Sequence, residues 1–210
     1  MKVLELFAGT RAISKAFEKA GHETFSVDWN KDFSKIDLYA DISKLTAIDI
    51  LREFGHPDII WASPDCTTYS VAAINKHRRK EKNGSLSPVT EYAKFCDQTN
   101  RHILNLINEL NPKYFFIENP RGGLRKMDFM QGIPRYTVTY CQYGEKRMKP
   151  TDIFTNHPNP NFKPACKNGD KCHVSAPRGS RTGTQGLANS IERAIIPAEL
   201  CEHIVKISEV

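Results

Sequence analysis

No run of about eighteen apolar residues occurs in the chain, so no segment suits a membrane-crossing helix. The opening stretch Met1-Lys2-Val3-Leu4-Glu5 carries a charge at Glu5 and lacks a long apolar region, so no secretory leader is expected. Internal repeats are absent, and the composition excludes disorder and collagen. Cysteine is present but unpatterned. The six, at positions 66, 96, 141, 166, 172 and 201, are irregularly spaced and follow no leader. That excludes a disulfide miniprotein and reads as reduced thiols in a cytosolic setting. What remains is ordinary: 210 residues, 40% hydrophobic and 26% charged, enough for one domain with one core.

The net charge of +6 is uneven. Between Lys113 and Thr182 there are 13 Lys/Arg against 5 Asp/Glu, and elsewhere 17 against 19. A basic C-terminal third on a nearly neutral body suits an anionic partner, or a merely solvated basic surface. Charge alone does not choose between them.

Hydrophobic period orders the elements. Strands are expected at Lys2–Leu6, Glu23–Val27, Ile36–Tyr39, Asp58–Ala62 and Tyr114–Ile117. Helices are expected at Arg11–Ala20, at Ile42–Phe54 with Leu45, Ile48, Ile50 and Leu51 as its apolar positions, and at Glu91–Leu110 with Phe95 among its core positions. Ser63–Pro88 reads as a long polar loop with a basic cluster. Tyr136–Cys141 and Thr151–Phe154 read as antiparallel strands, and a last helix covers Pro197–Ser208. Strand–helix alternation predicts an α/β fold with a mostly parallel, doubly wound sheet, and functional residues just after the strands.

The strand ends fit that expectation. Phe7-Ala8-Gly9-Thr10 follows the first strand, where a glycine lets backbone approach a ligand at a helix start. Asp28 and Trp29 follow the second: an acid for a ribose hydroxyl pair and an indole to stack on a purine. Asp41 follows the third and could accept from an exocyclic amine. Ser63-Pro64-Asp65-Cys66 follows the fourth, and Glu118-Asn119-Pro120 the fifth. Singly, each could be a cap or a core residue. In register, they point to a nucleoside-containing cofactor. Cys66 and Glu118, on strands expected to be neighbours, supply a nucleophile and a proton-bearing group for a heteroaromatic ring.

This order, Leu4-Glu5-Leu6-Phe7-Ala8-Gly9, Asp28-Trp29, Asp41-Ile42, Pro64-Asp65-Cys66 and Glu118-Asn119, resembles the DNA (cytosine-5)-methyltransferases, particularly small phage- or virus-type members. The resemblance covers residues 1–154 and returns at Arg193–Ile204. It implies a Rossmann-like S-adenosylmethionine-dependent methyltransferase fold. It implies that Phe7, Ala8, Gly9, Thr10 and Pro64 lie along S-adenosylmethionine, that Asp28 holds its ribose, that Trp29 and Ile42 pack on its adenine and that Asp41 binds the adenine amine. Cys66 would attack carbon 6 of a cytosine flipped from DNA, and Glu118 would bond its nitrogen 3 edge. Arg78, Arg79 and Lys80 in the catalytic loop, with Arg178 and Arg181 further on, would meet phosphate. RNA as substrate and a decayed, merely binding relative are the alternatives. The setting would be the cytoplasm of a bacterial or phage-infected cell.

Several positions depart from the family pattern. Thr10-Arg11-Ala12 stands where a Gly-rich turn is usual, and Asp65 where a second proline is usual. An unpaired carboxylate there would raise the pKa of the neighbouring thiol. The last arginine of the family's Gln-x-Arg-x-Arg element has no counterpart, so Arg147 or Lys149 would stand near the base. The expected organisation is a catalytic core (1–154), a minimal recognition loop (155–187) and a C-terminal helix returning to the core (188–210). So short a loop predicts relaxed sequence preference, or a protein partner that supplies it. Cys141, Cys166, Cys172 and His173, with His157 upstream, could hold a structural zinc or be free thiols on a loop. Cys96 and Cys201 read as core.

Overall fold

In the computed structural model, which describes residues 1–174 and 189–210, nine strands and six helices occur among the described residues. In chain order these are β1 (Lys2–Leu6), α1 (Ala12–Lys19), β2 (Glu23–Asp28), β3 (Leu38–Tyr39), α2 (Ala47–Glu53), β4 (Ile59–Ala62) and α3 (Ile74–His77). They continue with β5 (Arg78–Lys80), β6 (Leu86–Pro88), α4 (Glu91–Leu110), β7 (Tyr114–Pro120), β8 (Arg135–Thr139), β9 (Pro150–Thr155), α5 (Ser190–Ala194) and α6 (Ala198–Ser208). Seven strands form one sheet in the order β3-β2-β1-β4-β7-β9-β8. The pairs from β3 to β7 are parallel, and β9 runs antiparallel to both of its neighbours. This is the mostly parallel α/β sheet expected from the alternation of elements.

Both faces of the sheet are covered, which is why its central strands are nearly all apolar. Side chains alternate along β1. Leu4 and Leu6 enter the core shared with Ile50 of α2 and with Ile103, Leu106 and Leu110 of α4. Val3 enters the opposite core, with Ile13 and Phe17 of α1 and Leu200 and Ile204 of α6. Glu5 shares Val3's face, and there it caps α1. It accepts from Ser14 N at 2.8 Å, Ser14 Oγ at 2.5 Å and Ile13 N at 3.3 Å. Burial pushes its carboxyl up to about 7 even so.

The expected Ile42–Phe54 helix is two pieces. A 3-10 turn at Ile42–Lys44 is capped by Asp41, and α2 begins afresh at a capping box of Thr46 and Asp49. That restart sets a new phase. Ala47 and Ile50 are buried, whereas Ile48 and Leu51, expected inside, are exposed. The expected polar loop 63–88 holds α3 and the β5–β6 hairpin. Cys96 and Cys201 are buried, as expected.

Candidate active site

The cofactor-like residues gather on one cleft of about 360 Å³ at the C-terminal ends of the parallel strands. Its walls include Phe7, Trp29, Asp41, Ile42 and Pro64 from the strand ends. The far wall comes from α4, which contributes Tyr92, Phe95, Cys96, Thr99 and Asn100. Sequence reasoning did not find that wall. Phe95 had the spacing of a core residue, yet it is half exposed because its side of α4 borders the cleft. The signal was the i, i+3, i+4 row Tyr92, Phe95, Cys96, Thr99, which mixes aromatic and polar groups.

Asp28 is buried and does not line the cleft. Its Oδ2 accepts from Gly9 N and its Oδ1 from Asn30 N, both at 2.8 Å. It therefore fixes the first loop, leaving lone pairs to spare for a further donor. Ala8, Gly9 and Thr10 do not line the cleft either. The loop needs this support, because Phe7, Gly9 and Arg11 have φ of 57°, 49° and 57°. A left-handed arginine costs about 1–2 kcal/mol. Arg11 offsets it by burying its guanidinium between Ser26 Oγ (3.0 Å), Glu18 and Asp37 (3.7 Å). This accounts for the missing Gly-rich turn.

The cleft fits S-adenosylmethionine. Trp29 presents an exposed indole, and Ile42 and Phe95 are apolar plates for a purine. Hydrogen bonds from Ser43 hold the Asp41 carboxyl below its usual range, so it is an acceptor for an amine. Thr99 Oγ1 is buried with no hydrogen-bond partner among the described residues, a polar atom left over on a largely apolar wall.

Cys66 lies in the chain just after β4 and Glu118 lies within β7, and these strands pair in parallel with Ala62 opposite Ile117. Asn119 Nδ2 ties the two strand ends by donating to Pro64 O at 3.0 Å. Tyr140 Oη donates to Glu118 Oε1 at 3.0 Å, and Ser63 bonds the same carboxyl. Burial raises the Glu118 pKa, against the opposing pull of the Lys149 charge. Burial, then the charges of Glu118 and Asp65, push the Cys66 thiol up to about 11, and Lys149 opposes them. Asp65 is not left unpaired: it accepts from Tyr92 Oη at 2.8 Å and from Thr67 N at 2.6 Å.

The sequence places Arg147 or Lys149 near the base and Arg78 at phosphate. Lys149 is half-buried, 4.3 Å from the Tyr140 ring centroid, and donates to Arg193 O at 2.7 Å. Burial lowers its pKa, while Glu118 and Cys66 favour its charge. Of the two candidates for the missing arginine, Lys149 is therefore the one beside the pair. Arg147 is buried against Glu145 and the Glu192 carbonyl. Arg78 is fully buried under the loop, paired with Asp97 of α4 at 2.7 Å. It also donates to Thr68 O and Thr68 Oγ1 at 2.9 Å and lies 4.1 Å from the Tyr69 ring centroid. Arg79 and Lys80 are exposed on β5. Arg178 and Arg181 lie outside the described residues.

The loop after Cys66 also rests on backbone. Gly123 N donates to Tyr69 O at 2.7 Å, and a Cβ on Gly122 would stand 2.3 Å from that same oxygen. Gly122→Ala is thus expected to shift the loop, costing about 1–3 kcal/mol. Thermal denaturation would register the loss, and limited proteolysis should nick residues 67–88 faster. Unchanged stability and cleavage would show that the loop does not depend on this contact.

A sequence profile of the C-5 cytosine-specific DNA methylases matches residues 1–131, more than half of the chain. The chain belongs to this methylase family. A Frog virus 3 (isolate Goorha) protein described as "Probable DNA (cytosine-5)-methyltransferase" is 28% identical over 96% of this chain and 98% of its own. Among solved structures, the S. pombe Dnmt2 methyltransferase superimposes with a TM-score of 0.50 at 18% identity. The Entamoeba histolytica methyltransferase EhMeth superimposes with 0.53 at 13%. Each alignment covers 74% of this chain, which spans about half of those two, 48% and 52%. The shared part is the methyltransferase fold. The family match ends before Lys149 and the cysteine cluster.

Proposed function

We propose that this protein transfers a methyl group from S-adenosylmethionine to carbon 5 of cytosine in DNA. The observation that carries the reading is the placing of Cys66 just beyond β4 and of Glu118 on the adjacent parallel strand β7, with the Lys149 charge acting on both. S-adenosylmethionine, held by Trp29, Ile42 and Asp41, supplies an electrophilic methyl group. The flipped cytosine enters beside it. Cys66 Sγ adds to carbon 6 while the raised-pKa carboxyl of Glu118 gives its proton to nitrogen 3. That leaves an enamine whose carbon 5 is nucleophilic and takes the methyl group, the old sulfur–methyl bonding pair staying on the donor's sulfur. Solvent water then takes the carbon 5 proton, its electron pair forms the carbon 5–carbon 6 double bond and expels the Cys66 thiolate, and nitrogen 3 gives its proton back to Glu118. Lys149 stabilises the thiolate at both ends of the cycle.

Arg79 and Lys80 are suited to phosphate contact, which positions the duplex without reading it. Among the described residues no helix or strand lies between β9 and α5. That supports a short or relaxed target preference, or a protein partner that supplies one. No helix among the described residues is long and apolar enough to cross a membrane.

Trapping on DNA that contains 5-fluorocytosine tests the reading, because fluorine at carbon 5 blocks the last proton loss. A covalent complex is expected that requires S-adenosylmethionine and is abolished by Cys66→Ala. No adduct on duplex or single-stranded DNA of varied sequence would overturn the mechanism. An adduct on RNA alone would overturn the substrate.

A further inference from the structure

Between β9 and α5 the described chain, residues 156–174, has no regular structure and is largely exposed. Phe162 is its main apolar anchor, packed on Tyr136 and His203. A segment with so little core needs another fastening. One exists at the end of β8. Cys141 lies in the 3-10 turn Tyr140–Tyr143, and Cys166, Cys172 and His173 converge on it from the loop. The four ligand atoms all lie within 4.8 Å of one another. Cys141 Sγ is 3.0 Å from Cys166 Sγ and 3.6 Å from Cys172 Sγ. His173 Nδ1 is 3.7 Å from Cys166 Sγ and 3.6 Å from Cys172 Sγ. Tetrahedral zinc, with bonds of about 2.3 Å to sulfur and about 2.0 Å to nitrogen, sets its ligands roughly 3.5–3.8 Å apart.

The chemistry of the group favours a metal over a disulfide. A Cys141–Cys166 bond would leave Cys172 and His173 directed at sulfurs they do not need. The ring of His173 is not turned by any competing bond, since its Nε2 has no partner among the described residues. A donor already faces the cluster in the way that thiolate ligands need. Gln142 Nε2 lies 3.5 Å from Cys172 Sγ. His157 is not part of the group. It is buried elsewhere, with Nε2 bonded to Ile207 O at 3.0 Å.

We propose that Cys141, Cys166, Cys172 and His173 bind one zinc ion, which fastens the basic segment 161–174 to the turn beside the catalytic pair. Cys141 directly follows Tyr140, whose hydroxyl holds Glu118. The ion thus ties the outer loop to the residue that positions the catalytic carboxyl.

Elemental analysis of the purified full chain should find one zinc per protein. Cobalt added to metal-stripped protein should give the intense ligand-field bands of a tetrahedral thiolate site. Cys166→Ser and Cys172→Ser should each weaken zinc binding by at least ~10-fold, whereas Cys66→Ala should retain it. If either serine variant fails to fold, the cobalt spectrum of the parent protein still decides. Zinc that is sub-stoichiometric and equal in parent and variants would overturn the proposal. So would an octahedral cobalt spectrum, or a Cys141–Cys166 disulfide found by mass spectrometry in protein purified under reducing conditions.

Discussion

Glu118→Gln is expected to lower methyl transfer by roughly 10²–10⁴-fold, the range for losing a positioned proton donor. The same change should make Cys66 a better thiolate. Glu118 and Asp65 both push the Cys66 thiol up, and Lys149 pulls it down. Neutral glutamine removes one of the two repulsions, so the alkylation-against-pH curve of Cys66 should move below about 11. Lys149→Met should move it above, and Asp65→Asn below. Below its pKa, thiolate grows about tenfold per pH unit, so iodoacetamide rates across the neutral-to-alkaline range read the shift directly. Cys66 reactivity that rises while turnover collapses would separate the two roles of the carboxyl. If glutamine left turnover intact, nitrogen 3 would not depend on Glu118 for its proton.

Arg78→Met should cost the protein about 3–5 kcal/mol, because it leaves Asp97 largely buried without its cation. The guanidinium is fully buried and holds Thr68, Tyr69 and Asp97 at once. For a chain of this size that is a fall in Tm of about 10 °C. Asp97→Leu added to Arg78→Met should recover part of it, since a matched apolar pair carries no stranded charge. The measurement needs no DNA, and that distinguishes a loop staple from a phosphate contact. A variant with unchanged Tm but weaker DNA binding would return Arg78 to the interface.

The sheet was legible because its strands are buried on both faces and its helices are amphipathic. Glu91–Leu110 was read to the residue, and the structure puts a Thr90 cap and a left-handed Asn111 at its two ends. Ile42–Phe54 was misread because a capping box inside it restarts the helix, and hydrophobic spacing is blind to that. Cys66 and Glu118 were singled out by their chemistry after strands, and folding sets one just beyond β4 and the other on its neighbour β7. Arg78 was misjudged for a physical reason. A cation in a basic stretch looks exposed until its partner is known, and Asp97 is brought to it only by folding. Asp28 shows the converse: an acid expected on a ligand is occupied first by the N–H groups of its own loop.

The chain leaves the described core and re-enters it at nearly one point. Val174 N donates to Lys146 O at 2.8 Å, while Arg147 and Lys149 bond the carbonyls of Glu192 and Arg193. The two described ends are thus pinned side by side. Closing a loop across a fixed gap costs only about 0.6 kcal/mol more for each doubling of its length. Here, then, the scaffold can accept a much larger insertion without retuning the chemistry, and a new target specificity could be grafted rather than evolved in place.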